Sequence, residues 1–245
     1  MHVQQSGEGA PLLLLHGGGG IGANWQLIFH SAPSGYHLIV PDLRGHGRST
    51  RSNEPMTFRQ LALDVLALTE SLHIPRFKAI GMSMGAKTLL HVATLEPERV
   101  EAMVLVSAAP YFPESTRAFM RVAATAPRTE QDWAQMHRWH VHGDEQIKAI
   151  WAMSEHFANN NEDMSFTPQR LSRIQAQTLL VHGDRDPLYP LNLAHEMSTA
   201  IPHSALWIIP NGGHSPIFGE MAPLFARKAL AFLNGVPLEQ ASMPS

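Results

Sequence analysis

The stretch Phe77-Lys78-Ala79-Ile80-Gly81-Met82-Ser83-Met84-Gly85-Ala86 decides how this chain is read. Its start is apolar and strand-like, and a helix-like stretch begins at Ala86. A glycine two residues to either side of Ser83 allows a turn too tight for larger side chains. Such a turn strains the serine backbone and pushes its hydroxyl out over the end of a sheet. Five-residue matches of this kind occur by chance, so the partners decide its value. Asp186 follows the apolar run Thr178–Val181, and His214 follows Ala205–Ile209. Serine, acid and histidine therefore stand in the chain order of a nucleophile with its acid and base, each just after a strand.

Outward from the elbow, short apolar runs alternate with helical patterns. Leu12–Leu15, His37–Val40, Phe77–Ile80, Ala102–Val106, Thr178–Val181 and Ala205–Ile209 are bounded by Gly, Pro or polar turns. Between them, Leu61–Leu72, Lys87–Leu95, Leu191–Met197 and Phe225–Leu233 repeat their apolar residues at helical spacing. Continuous apolar strands separated by helices predict an α/β fold with a mainly parallel, doubly wound sheet. Ligands bind beyond the carboxyl ends of such strands. Ser83, Asp186 and His214 are expected together on that edge. The alternation fails between Ala109 and Thr167, which predicts a helical insertion over 110–167 within a single domain spanning 1–245.

Composition narrows the chemistry. The chain has 245 residues, 18 basic and 21 acidic, for a net charge of −3, and neither sign collects in blocks. That gives no electrostatic argument for nucleic acid or an anionic membrane as partner. There is no cysteine, which excludes disulfides, a thiolate nucleophile and cysteine-held metal. Met1-His2-Val3-Gln4-Gln5 lacks the basic and apolar regions of a signal peptide, and no apolar run reaches membrane-spanning length. A cytoplasmic location is the default expectation.

The remaining motifs each carry a bland and a sharp meaning. His16-Gly17-Gly18-Gly19-Gly20 follows the first apolar run, and its backbone N–H groups could serve an oxyanion together with that of Met84. A phosphate cradle would need a Lys-Ser/Thr ending, where this chain has Ile21-Gly22-Ala23. Asp42–Ser49 suits a turn held by side-chain-to-backbone hydrogen bonds, so His46 is left out of the catalytic set. Gly183-Asp184-Arg185-Asp186-Pro187 offers two acids, and spacing alone does not choose between them. His137, His140 and His142 cluster, but without a carboxylate at ligand spacing they read as ordinary residues rather than a metal site.

Together the His16 loop, Asp42–Ser49, the elbow, the Gly183 loop and Gly213-His214 resemble the α/β-hydrolase family over nearly the whole chain. The resemblance implies Ser83 as nucleophile, His214 as base and Asp186 as acid, since the family's acid comes three residues after the glycine. It implies oxyanion donors at the N–H groups of Gly18 and Met84, and it identifies 110–167 with the family's cap. A serine at the elbow departs from the dehalogenases and epoxide hydrolases of this fold, which use aspartate. The lack of cysteine departs from dienelactone hydrolases. The glycine loop is similar to that of meta-cleavage-product hydrolases, but Gly20-Ile21-Gly22 and Ser215 depart from their pattern. The amino-terminal hairpin is short, which leaves the family's first strand in question.

The expected activity is hydrolysis of a carboxylic ester or lactone through an acyl-enzyme, with no metal and no cofactor. The insertion's Trp133, Trp139 and Trp151, with uncharged pocket candidates, favour an apolar or aromatic small-molecule substrate. Two alternatives stay open. One is C–C bond hydrolysis or perhydrolysis on the same triad, and the other is a non-catalytic small-ligand receptor.

Overall fold

Leu12, Leu13, Leu14 and Leu15 are all completely buried. Four consecutive buried leucines require a strand covered on both faces, because successive side chains point to opposite sides. In the computed structural model, which describes residues 1–51 and 56–237, that strand is part of a seven-stranded sheet. The strands are β1 (Val3–Ser6), β2 (Ala10–Leu15), β3 (Tyr36–Pro41), β4 (Phe77–Met82), β5 (Val100–Val106), β6 (Gln177–Gly183) and β7 (Ser204–Ile209). Their order is β1-β3-β2-β4-β5-β6-β7. All neighbours pair in parallel except β1 with β3.

One face carries α1 (Phe58–Ser71) and α2 (Met84–Leu95), whose Leu61, Val65, Leu89 and Leu90 join Leu13, Leu15 and Leu105 in one core. The other face puts Leu12, Leu14, Ile80 and Val104 against Trp25 and Phe225. Each fully buried leucine contributes roughly 1.5–3 kcal/mol over leaving it in water.

Between β5 and β6 the chain forms α3 (Glu114–Thr125), α4 (Glu130–Trp139), α5 (Asp144–Asn159) and the short α6 (Pro168–Leu171), with no named strand. Thr129 caps α4 by accepting from the Asp132 N–H at 3.1 Å, and Asp132 returns a bond to the Thr129 N–H at 2.8 Å. Arg117 on α3 donates to the carbonyls of Ala158 at 2.8 Å and Asn160 at 3.0 Å. A cation on the last carbonyls of α5 suits the helix dipole and ties the two helices together. Two helices close the order, α7 (Leu191–Ala200) and α8 (Ala222–Leu233).

The sequence leaves the first strand in question. Val3–Ser6 does form one, at the sheet's edge and antiparallel to β3. Residues 52–55 and 238–245 of the expected 1–245 unit lie outside the described residues.

The order also fixes where a site can form. After β2 the chain turns to β3 on one side, and after β4 it turns to β5 on the other. Adjacent strands whose connections diverge leave a crevice at their carboxyl ends. The glycine loop after β2 and the elbow after β4 border it.

Candidate active site

Ser83 stands between β4 and α2 with φ of 48° and ψ of −104°. A non-glycine residue rarely takes positive φ, and here the surroundings enforce it. The Ser83 N–H is held by the Val106 carbonyl at 2.8 Å, and the Gly85 N–H by the His16 carbonyl at 3.1 Å. A Cβ on Gly85 would sit 2.3 Å from the Leu15 carbonyl oxygen, and one on Gly81 would sit 2.6 Å from the Gly85 backbone. Both glycines are needed for β2, β4 and α2 to approach this closely.

The Ser83 Oγ is 2.9 Å from His214 Nε2, and His214 Nδ1 is 2.8 Å from Asp186 Oδ2. The other carboxylate oxygen of Asp186 accepts the N–H groups of Leu188 at 2.8 Å and Tyr189 at 3.1 Å. Burial pushes the Asp186 carboxyl up, but the bond and charge of His214 and the two N–H bonds outweigh it and hold it low. Asp184 is exposed and Asp186 has a fully buried side chain, so of the two acids the structure brings Asp186 to the histidine. Ser107, itself at φ 50°, donates its hydroxyl to the His214 carbonyl at 2.7 Å and so fixes the histidine's loop to the end of β5.

Three buried histidines hold the glycine loop. His16 accepts the Leu43 N–H at 2.9 Å and donates to the Gly17 carbonyl at 2.8 Å. His46 accepts the Gly19 N–H at 3.2 Å and donates to the Arg44 carbonyl at 3.1 Å. His140, just after α4, accepts the Gly47 N–H at 2.8 Å and donates to the Gly19 carbonyl at 3.1 Å. Backbone N–H groups only donate and carbonyls only accept, so each ring is a neutral imidazole in one defined tautomer. Burial supports this, bringing His16 down to about 4, His46 well below its usual range and His140 lower as well.

The Asp42–Ser49 turn completes this support. The Asp42 carboxylate accepts from the N–H groups of Gly22 at 2.8 Å and Arg48 at 2.9 Å. The histidines at 137, 140 and 142 take separate partners: Asp144, the Gly19 loop and the Arg48 carbonyl.

Held in this way, the loop leaves two N–H groups beside Ser83 uncommitted. Among the described residues, neither the Gly18 nor the Met84 N–H has a protein acceptor. Around Gly18 a Cβ would meet nothing within 4 Å, and the residue borders the cavity over Ser83. A site with a hydroxyl, an oriented imidazole and two free donors can generate an alkoxide and stabilise a developing oxyanion.

A cavity of about 300 Å³ opens over Ser83, bordered by Gly18, Met84, His214, Phe119, Trp151 and Tyr189. Of the three tryptophans expected near the substrate, Trp151 lines this cavity. Trp133 stacks edge-on against Trp151, with ring centroids 4.6 Å apart, in a small core with Met136 and Ile147. Trp139 lines a second cavity, of about 310 Å³, with Trp25, Leu27 and Phe218. The lining also differs from the uncharged one expected, because Lys87 and Arg128 both face the main cavity. Sequence reasoning missed Lys87, Tyr189, Ser107 and the histidine lattice. The one sequence signal for Lys87 is its place a helical turn after Ser83.

Comparison with known proteins agrees with this architecture. The family model for the alpha/beta hydrolase fold matches residues 10–220. RutD of Pseudomonas syringae pv. syringae (strain B728a), provisionally named a carbamate hydrolase, is 28% identical, covering 96% of this chain and 98% of its own. The pimeloyl-acyl-carrier-protein methyl ester esterase of Nitrosomonas europaea is 26% identical over 88% of this chain and 93% of its own. A crystal structure of a mutant of the meta-cleavage product hydrolase CumD, an enzyme of Pseudomonas fluorescens IP01, superposes with a TM-score of 0.81. Its identity is 21%, over 96% of this chain and 94% of that one. With the family model spanning nearly every strand and helix of the fold, this chain belongs to the α/β-hydrolase family.

Proposed function

We propose that the protein is a serine hydrolase that cleaves a carboxylic ester or lactone through an acyl-enzyme, with Ser83 as nucleophile, His214 as base and Asp186 as acid. The observation that carries this is the chain Asp186–His214–Ser83, with links of 2.8 and 2.9 Å, beside two N–H groups without protein acceptors. His214 Nε2 takes the Ser83 proton as Oγ attacks the carbonyl carbon. The N–H groups of Gly18 and Met84 receive the oxyanion, and Asp186 holds the Nδ1–H tautomer and stabilises the imidazolium. The imidazolium gives its proton to the leaving alcohol. Water, activated by the same ring, then releases the acid from Ser83. The helices over 110–167, which we take as the cap, supply the cavity's outer wall through Trp151 and Phe119.

Among the relatives, a methyl ester esterase and a protein named for carbamate hydrolysis support chemistry at an acyl carbon. A panel of p-nitrophenyl and methyl esters, run beside a vinylogous 1,5-diketone, tests the proposal. Turnover of esters through Ser83 is expected. Turnover of the diketone alone would replace it with C–C hydrolysis, and saturable binding without turnover would replace it with a receptor.

A further inference from the structure

Lys87 is 2% exposed, and its Nζ lies 2.8 Å from the Tyr189 hydroxyl and 3.5 Å from Ser83 Oγ. The rings of Tyr189, Phe58 and Phe112 surround it at 4.7, 5.3 and 5.7 Å. A buried ammonium costs several kcal/mol unless something of opposite charge meets it. Among the described residues, the carboxylate that acts on it is Asp186, and both oxygens of Asp186 are already engaged by His214 and by backbone N–H groups. Aromatic faces and a phenol soften the cost without cancelling the charge.

Among the described residues, the cavity offers no anion. It is lined by Lys87 and by the half-buried Arg128, which lies over the Trp151 ring at 5.0 Å, and by no described aspartate or glutamate. Burial accordingly brings the Lys87 ammonium down to about 7, and a carboxylate arriving with the substrate would supply the missing partner and favour the charged form. We propose that Lys87 forms a carboxylate subsite beside Ser83, and that the preferred substrates are esters or lactones whose acyl portion carries a carboxylate close to the scissile bond. This rests on the hydrolase reading above and names its substrate class.

Distance limits the acyl group. Nζ is 3.5 Å from Oγ, and a charge-assisted bond adds about 2.8 Å, which puts the anionic oxygen within about 6 Å of the attacking atom. Half-esters of short diacids, such as malonate and succinate, fit that reach. The alcohol portion must face His214 Nε2 to collect its proton, which leaves the acyl portion to face Lys87.

The test compares methyl hydrogen succinate with methyl levulinate, its neutral counterpart of similar shape, in the wild-type protein and in Lys87→Met. The expected wild-type kcat/KM favours the half-ester, and Lys87→Met lowers the half-ester-to-levulinate ratio on the order of 10²-fold, as loss of a charged hydrogen bond should. Using the ratio removes any loss the two substrates share. A wild-type preference for the levulinate ester, or an unchanged ratio in the variant, overturns the subsite.

Calorimetric binding of the half-ester to Ser83→Ala, with and without Lys87→Met, separates the two proposals. Lys87-dependent binding without ester turnover in the wild type would keep the subsite and reject the esterase. Ester turnover through Ser83 with no anion preference would do the reverse. Absence of half-ester binding to Ser83→Ala would reject the subsite whatever the variant's folding.

Discussion

His140 donates its Nε2–H to the Gly19 carbonyl at 3.1 Å, so a residue of the helical insertion helps set the backbone of the glycine loop next to Ser83. The same ring accepts the Gly47 N–H on its other nitrogen. Insertion, glycine loop and Asp42–Ser49 turn therefore meet at one imidazole.

His140→Phe keeps the volume of the ring and removes both bonds. Two backbone groups then lose their partners in a buried place, at a cost of roughly 1–3 kcal/mol each. Urea unfolding should show a lower midpoint, and kcat should fall more than KM rises, because the disturbed loop carries the Gly18 N–H. An unchanged midpoint would remove His140 from the support of that loop.

Acid should unfold the protein through the same lattice. His16 titrates at about 4 when folded, and His46 and His140 are also lowered, whereas an unfolded histidine titrates near 6.5. Between those values the unfolded chain binds more protons, so stability falls as pH drops from about 6.5 toward 4. Unfolding free energies across that window check this. A flat profile would mean that the three rings are not held neutral.

The two acids of the Gly183 loop should differ sharply. Asp186→Asn leaves the shape of the chain Asp186–His214–Ser83 but spoils the histidine tautomer, a loss on the order of 10⁴ in turnover. Asp184→Asn, at an exposed position, should cost little. Steady-state kinetics on one ester decides, and reversed effects would move the acid to Asp184.

Trp151→Leu should change the order of preference among acyl and aryl groups, because that ring borders the cavity over Ser83. Trp133→Leu, which removes the edge-on partner of Trp151, should mainly lower the melting temperature. An ester panel measured beside thermal melts checks both. Uniform rate changes for Trp151→Leu would take it out of substrate selection.

Much of this architecture is legible in the sequence for a specific reason. The inner strands β2, β4, β5 and β6 are largely buried on both faces and so carry apolar runs such as Leu12–Leu15. β1 is not legible, because Gln4, Gln5 and Ser6 are polar and exposed and its partner β3 lies far along the chain. Ser83, Asp186 and His214 stand out through chain order and glycine neighbours. Lys87 does not, because a lysine on a helix reads as a solvated face. Its burial comes from Phe58, Phe112 and Tyr189, which only the fold gathers around it. His140 is hidden in the same way, since its partners Gly19 and Gly47 are more than ninety residues away.

The most direct measurement treats the protein with a serine-directed fluorophosphonate and locates the adduct by peptide mass spectrometry, beside the turnover of Ser83→Ala. The account predicts a single adduct on the Ser83 peptide and a folded alanine variant slower by several orders of magnitude. An adduct on another residue, or near-normal ester turnover by Ser83→Ala, would contradict it.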